Sequence, residues 1–256
     1  MKQKQTATVL SQKEIAPSIF ELWIRTSLAA EARPGQFLGV YPRDKSTLLP
    51  RPISICEVGG EKDALRIVYR IAGAGTAEFS RYQAGEPVEI LGILGNGFPL
   101  EAAQGKRALL LGGGIGVPPL LELAKRLDGE KRVVLGYRDG AAFLREDFER
   151  YGEVTIASED GSVGVRGNVL DAVREEGLRG EVIYACGPMP MLRAIKTYAA
   201  ERQIKAYISL EEHMACGVGA CLGCVVKTKE PDPHSHVRNA RICTDGPVFD
   251  AEDVEI

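Results

Sequence analysis

The stretch ALLLGGGIGVPPLLEL (residues 108–123) decides the fold class of the second half of the chain. Its apolar start is typical of a strand buried on both faces, as in a parallel sheet. Glycines then allow a sharp turn and a close approach of a pyrophosphate to the backbone, and a helical pattern follows. The stretch therefore predicts a nucleotide site made by Gly112, Gly113, Gly114 and Gly116. The pattern departs from strict G-x-G-x-x-G at Pro119, so a tight turn without a ligand is the alternative.

The residues around this stretch predict a doubly wound parallel sheet. Strand-like segments RVVLGY, VTIAS, EVIYACG and KAYISLE alternate with helical ones such as MPMLRAIKTYAAERQ. Cys186, Gly187 and Pro188 end one of these strands, at the carboxyl edge where open α/β sheets bind ligands. Taken alone, Cys186 is better explained as a small buried hydrophobic residue, and its place at a strand end before Gly187 and Pro188 makes ligand contact an equal alternative.

The first hundred residues have a different pattern. TATVLSQKEI, IFELWIRTS, GQFLGVYP, LRIVYRIA and EPVEILGIL are short, rich in β-branched or aromatic residues, and separated by glycine, proline and charge. That spacing predicts a small antiparallel β-barrel. The sequence thus predicts three domains, which are a barrel over 1–101, an α/β domain over 102–211 and a cysteine-rich segment over 212–256.

The cysteine-rich segment contains HMACGVGACLGC (residues 213–224). Four residues separate Cys216 from Cys221, two separate Cys221 from Cys224, and eighteen more precede Cys243. This C-x4-C-x2-C…C spacing is that of plant-type 2Fe-2S ligation. Small residues between the cysteines let the loop fold closely and direct backbone N–H groups at the sulfurs, which tunes the potential. We expect these four cysteines to be the metal ligands.

Other uses of the cysteines are weaker. Structural zinc takes four cysteines as short pairs, whereas three of the ligands here are contiguous. A disulfide framework is disfavoured in the cytoplasm, where thiols stay reduced. Histidines at 213, 234 and 236 are alternative ligands, but the last two lie in the polar loop KEPDPHSHVRNAR and are better explained as solvated.

Composition narrows the function classes. The chain has 256 residues, a net charge of −3, 45% hydrophobic and 26% charged residues, which are ordinary values for a globular protein. The slight acidic balance gives no reason to expect nucleic acid. No apolar run is long enough to span a bilayer, and MKQKQTATVL lacks the apolar core of a signal peptide. The sequence predicts a cytoplasmic protein with no membrane partner.

Two segments of the barrel portion are candidates for binding phosphate. In RPISI (residues 51–55) Arg51 is a bidentate donor, and Ser54 is placed to donate to a ring atom. In YRIAGAGTAEFS (residues 69–80) a strand leads through glycines into a short helix, whose N-terminus suits an anion. From these residues alone, an ordinary barrel strand with a surface arginine explains the pattern better.

A resemblance to a known family changes this interpretation. The order of barrel, RPxS, a later G-T, GGGIGxxP and CGP resembles the ferredoxin–NADP reductase superfamily over nearly the whole chain. CGVGACLGC with RICTDGPVF is similar to the electron-transfer subunits of NAD-linked dihydroorotate dehydrogenase B, and GILGNGFPL also fits that family.

The resemblance implies specific cofactor residues. One FAD would be held by residues of β-strands and of the G-T segment, namely Arg51, Pro52, Ile53, Ser54, Tyr69, Arg70, Ile71, Gly75 and Thr76. NAD would lie against Gly112–Gly116, with Cys186, Gly187 and Pro188 beside the nicotinamide. The motifs themselves leave NAD and NADP open, because in GYRDG Arg138 would welcome a 2′-phosphate and Asp139 would repel it. The resemblance implies NAD.

The resemblance also implies a function in pyrimidine biosynthesis. Dihydroorotate would be oxidised on a separate FMN-bearing subunit, and electrons would pass through the 2Fe-2S cluster and FAD to NAD+. A flavin belongs between the cluster and NAD, because it exchanges electrons singly or in pairs. No dihydroorotate site is recognisable in this chain, so the resemblance implies dependence on a catalytic partner, in a heterotetramer with two of each chain.

Two other functions remain open at this point. Related flavin and 2Fe-2S subunits serve NAD(P)H–ferredoxin oxidoreductases, sulfhydrogenases and sulfite reductases, and the cysteine spacing with CTDGPVF favours the dihydroorotate system over them. A non-redox binding module with a structural zinc tail would be colourless, whereas flavin and iron–sulfur together are yellow-brown.

Overall fold

The computed structural model describes residues 3–232 and 236–256, and its N-terminal part is a closed antiparallel barrel. Six strands close it in the order β1-β2-β5-β4-β3-β6. The strands are β1 (Gln3–Ala16), β2 (Ile19–Arg25), β3 (Phe37–Tyr41), β4 (Arg51–Val58), β5 (Ala64–Arg70) and β6 (Pro87–Leu94), and α1 (Ala74–Phe79) follows β5. Buried and more exposed residues alternate along β6, because alternate side chains of a barrel strand point inward.

The second part is a seven-stranded sheet flanked by helices. Its order is β10-β9-β8-β7-β11-β12-β15, parallel except for β15. The strands are β7 (Ala108–Gly113), β8 (Lys131–Tyr137), β9 (Glu153–Ser158), β10 (Val165–Arg166), β11 (Val182–Cys186), β12 (Lys205–Ser209) and, from the C-terminal segment, β15 (Val248–Asp250). The helices are α2 (Pro119–Arg126), α3 (Arg145–Glu149), α4 (Val169–Glu175) and α5 (Met189–Arg202). The longest described helix, α5, has 14 residues, and no described helix has the length and apolar character needed to cross a membrane.

The C-terminal segment forms a small sheet of its own and also joins the large one. Strands β13 (Val225–Thr228), β14 (Asn239–Arg241) and β16 (Val254–Glu255) pair antiparallel in the order β14-β13-β16. Between β14 and β16, β15 pairs antiparallel with β12. The predicted fold class, a barrel followed by a doubly wound sheet and a cluster segment, is confirmed. The exact domain boundaries stay a prediction.

A largely buried ionic network joins the barrel to the α/β domain. Arg66 on β5 donates through Nε to Glu21 of β2 at 2.9 Å, and its guanidinium also lies 3.4 Å from Glu57 and 3.5 Å from Asp147 of α3. Glu122 of α2 accepts the backbone N–H of Val58 at 2.9 Å. Because these contacts run from barrel strands to helices of the second domain, they tie the two domains together.

Candidate cofactor and cluster sites

The two segments predicted to bind NAD lie against each other. Gly112 on β7 is the register partner of Cys186 on β11, so both strands end at the same edge of the sheet. A Cβ on Gly116 would lie 2.5 Å from the carbonyl carbon and oxygen of Cys186 and from the nitrogen of Gly187. Only glycine permits this approach, and the two loops therefore form one continuous backbone surface.

The same surface is closed on one side by the first turns of α5. A Cβ on Gly113 would lie 2.5 Å from Sδ of Met191, and one on Gly187 would lie 2.4 Å from its methyl carbon. Met191 was not among the predicted site residues. MPML reads as an ordinary helix start, and only the packing of α5 onto both glycine loops reveals its position.

Cys186 is half-buried beside these loops. Burial raises the pKa of its thiol to about 12, although the hydrogen bond with Ser209 of β12 acts in the opposite direction. The thiol is therefore neutral near pH 7. An uncharged sulfur at this point suits contact with a nicotinamide ring.

The residues that bear on the choice between NAD and NADP lie at the end of β8. Arg138 and Asp139 are both exposed there. Oδ1 of Asp139 accepts the backbone N–H of Ala141 at 3.0 Å, which fixes the carboxylate in the turn. Since β8 neighbours β7, the fixed negative charge lies one strand away from the glycine loop.

Arg51 meets the G-T segment in the barrel domain. A Cβ on Gly75 would lie 2.8 Å from Nε of Arg51, so the guanidinium rests directly on the backbone of Gly75. Oγ1 of Thr76 accepts the backbone N–H groups of Ala72 and Gly73 at 2.8 and 3.2 Å. A planar cation over a tightly turned backbone fits a pyrophosphate group.

The other predicted flavin residues lie on both sides of the barrel wall. Pro52, Ile53, Ser54 and Ile71 are half-buried and Arg70 is exposed. Tyr69, by contrast, is 1% exposed, and its hydroxyl accepts Nε2 of Gln12 at 2.9 Å inside the barrel. Burial raises the pKa of this phenol above its ordinary value. The side chain of Tyr69 thus belongs to the barrel core, which leaves its backbone for contact with a ligand.

The cysteine loop places backbone donors around sulfur. Sγ of Cys216 accepts the N–H groups of Val218, Ala220 and Cys221 at 3.4, 3.3 and 3.4 Å, helped by left-handed turns at Gly217 and Gly219. Burial raises the pKa of Cys216, but these hydrogen bonds together with one from the Cys221 thiol outweigh it and lower the pKa to about 6. The loop is thus built to hold a thiolate.

The four cysteines form two pairs. Sγ of Cys216 accepts the backbone N–H of Cys221 at 3.4 Å, and the carbonyl of Cys224 accepts the N–H of Ile242 at 2.8 Å, which places Cys224 beside Cys243. A 2Fe-2S cluster takes two sulfurs at each of two irons. The arrangement fits the cluster.

The cluster segment packs directly on the barrel. Cys224 and Cys243 are buried in one hydrophobic cluster with Phe37 of β3 and Leu94 of β6. A Cβ on Gly217 would lie 3.3 Å from Cδ1 of Leu94. Of the histidines, His213 and His236 are exposed, and His234 lies outside the described residues.

Comparisons with known proteins agree with this geometry. Residues 211–255 match the family model of the iron-sulfur cluster binding domain of dihydroorotate dehydrogenase B. A Bacillus caldolyticus protein, the electron transfer subunit of dihydroorotate dehydrogenase B (NAD(+)), is 47% identical, with 98% of each chain covered. The Geobacillus kaustophilus protein of the same name is 46% identical over the same shares.

A solved structure extends the likeness to three dimensions. The NADH-dependent reduced ferredoxin-NADP oxidoreductase, a protein of flavin-based electron bifurcation, superimposes with a TM-score of 0.85 at 27% identity. The match covers 97% of this chain and 89% of that one. The sequence identity to this solved structure is well below the identity to the two sequence relatives. The sequence relatives therefore define the family more narrowly.

Proposed function

The chain belongs to the family of electron transfer subunits of dihydroorotate dehydrogenase B (NAD(+)), and from that premise we propose how its residues hold the cofactors. The protein passes electrons from dihydroorotate oxidation to NAD+, with FAD and a 2Fe-2S cluster as cofactors. It is the NAD-reducing part of an oxidoreductase complex in pyrimidine biosynthesis. The ferredoxin, sulfhydrogenase and sulfite reductase alternatives are not favoured, because the relatives at 46–47% identity all carry the dihydroorotate name.

The pairing of the four cysteines is the observation that carries the proposal for the cluster. Cys216 and Cys221 would bind one iron, and Cys224 and Cys243 the other. The backbone N–H groups that already surround Sγ of Cys216 support this assignment, because they stabilise the ionised sulfur that ligation requires. The site is also anchored to barrel strand β6 through Leu94.

FAD would lie along the barrel at Arg51 and the G-T segment. The Arg51 guanidinium would bind its pyrophosphate next to Gly75 and Thr76, with Pro52, Ile53 and Ser54 toward the isoalloxazine. The exposed Arg70 and half-buried Ile71 would complete this wall, and Tyr69 would contribute its backbone. A flavin supplies the exchange between two-electron hydride transfer and one-electron transfer.

NAD would bind on the joined surface of the two loops at the carboxyl edge of the sheet. Backbone N–H groups of Gly112–Gly116 would face its pyrophosphate, and Cys186, Gly187 and Pro188 would orient the nicotinamide toward the barrel. The neutral thiol of Cys186 supports this orienting role, since it adds no charge beside the ring. Asp139 would repel a 2′-phosphate and so favour NAD over NADP.

A catalytic partner subunit follows from the family, whose members are named electron transfer subunits. We assign to that partner an FMN and the oxidation of dihydroorotate, in a cytoplasmic complex with two of each chain. The docking surface would include three exposed apolar residues beside the cysteines, namely Val218, Leu222 and Val225, of which Leu222 is 63% exposed. An apolar patch at the edge of the cluster suits a protein partner.

Reconstitution tests this function. The chain alone should show NADH oxidation with an artificial acceptor but no dihydroorotate-dependent NAD+ reduction, which should arise when the catalytic subunit is added. Leu222→Asp should abolish the coupled reaction and leave the NADH reaction intact. Leu48→Asp, at a 78% exposed position on the barrel, is the matched control and should couple normally. Coupled activity from this chain alone would contradict the proposal.

A further inference from the structure

The segment GNGF (residues 95–98), directly after β6, joins all three parts of the molecule. Gly95 contacts the C-terminal segment, since a Cβ there would lie 2.5 Å from Cδ of Pro247. Phe98 is buried in the α/β core, its ring 5.7 Å from that of Tyr184. Its backbone N–H donates to the carbonyl of Pro34 in the barrel at 2.8 Å. GNGF is therefore a three-way junction.

Asn96 makes the polar contacts of this junction. Its Nδ2 donates to the carbonyls of Asp245 and Val248 at 3.0 and 2.8 Å, and its Oδ1 accepts the N–H of Val248 at 3.0 Å. Its backbone N–H donates to the carbonyl of Gly246 at 2.6 Å. The half-buried side chain of Asn96 thus connects the end of barrel strand β6 to the stretch that follows Cys243.

This stretch sets the position of the fourth cysteine. The N–H groups of Thr244, Asp245 and Gly246 all donate to the carbonyl of Arg241, at 3.1, 2.8 and 3.2 Å, so the chain turns tightly around Cys243. Asn96 holds the far side of that turn. Leu94, two residues before Asn96, packs in the same hydrophobic cluster as Cys243.

We infer that Asn96 is a positioning residue, which fixes the turn carrying Cys243 against barrel strand β6 and thereby fixes the cluster relative to the flavin domain. The inference rests on the proposed function and deepens it. Asn96 binds no cofactor itself. It acts through the backbone of residues 245–248, so its loss should loosen one cluster ligand and leave the barrel and the NAD loops in place.

The test compares cofactor retention in the purified holoprotein. Asn96→Ala removes three hydrogen bonds, and Asn96→Asp keeps the acceptor for Val248 but turns two donors into a charge that faces two carbonyls. Both should release iron to a chelator about tenfold faster than the wild type, the size of effect typical of outer-shell ligand supports. FAD retention should stay unchanged, the EPR signal of the reduced cluster should shift, and the amides of residues 244–246 and 248 should exchange faster with deuterium.

Asn168→Ala is the control, because Asn168 caps α4 through N–H groups of Leu170 and Asp171, far along the chain from the cluster. It should retain iron like the wild type. If both Asn96 variants release iron at the rate of Asn168→Ala, or if FAD and iron leave together, the inference is wrong. If the other two variants fail to fold, Asn96→Ser, with the mildest loss of contacts, replaces them in the same comparison of iron release with Asn168→Ala. A wild-type protein that binds no iron and sulfide would instead overturn the proposed function.

Discussion

Replacing Gly116 with alanine separates the two loops that are proposed to bind NAD. The new Cβ would lie 2.5 Å from backbone atoms of Cys186 and Gly187, whereas ordinary contact begins at 3.4 Å. The loops must therefore move apart by about 0.9 Å, since the neighbours are backbone and no flexible side chain can yield. A displacement near 1 Å in a binding site costs on the order of 100-fold in rate. The overpacking itself costs only ~1–3 kcal/mol, which a domain with a typical margin of stability tolerates.

The assay is anaerobic reduction of the bound flavin by NADH in the holoprotein, combined with steady-state NADH oxidation by an artificial acceptor. Gly116→Ala should lower kcat/KM for NADH by about 100-fold and leave the FAD and iron contents at wild-type values. Gly60→Ala is the control, because a Cβ at that barrel turn has no atom within 4 Å. A folded Gly116→Ala protein whose kcat/KM equals that of Gly60→Ala would refute the reasoning.

Three further predictions concern the other sites. Iron and flavin analysis should show that Cys221→Ser loses iron and keeps FAD. The control Cys56→Ala, at a buried cysteine of the barrel, should keep both cofactors. Equal iron contents in the two variants would exclude Cys221 as a ligand. Arg51→Gln should weaken FAD binding by ~10–100-fold in a fluorescence titration, because a hydrogen bond to a charged group contributes that much affinity. The control Arg25→Gln, on the exposed barrel surface, should leave FAD binding unchanged. Arg66→Met should lower the free energy of unfolding, measured in urea, by about 3–5 kcal/mol. The reason is that three carboxylates lose a cation that is only 9% exposed. A loss under ~1 kcal/mol would show that the network does not hold the domains together.

The fold class was predictable because hydrophobic patterning is local. The run at 108–113 is buried on both faces in β7, as its uninterrupted apolar pattern predicts. Strand β15 was not predictable, since three residues carry little strand propensity and the pairing with β12 is a tertiary contact. The orientation of Tyr69 was also beyond the sequence. Neighbouring residues Val68 and Tyr69 are both buried, because the α/β domain covers the outer face of β5. The hydrophobic pattern of β5 therefore does not show which side chains point into the barrel.

The site was predictable to the level of residue types and spacing. The intervals between Cys216, Cys221, Cys224 and Cys243 suffice to propose a cluster, but their division into two pairs needs the loop conformation. Asn96 shows the limit more clearly. Its partners lie about 150 residues away along the chain, and no local pattern reports hydrogen bonds over that separation.

The most direct test of the central claim is a visible spectrum of the purified chain with flavin, iron and sulfide counted, before and after addition of NADH without oxygen. The account predicts about one FAD, two irons and two sulfides per chain, with flavin absorbance that NADH bleaches. A colourless protein that holds zinc and no flavin would contradict it and remove the basis for electron transfer.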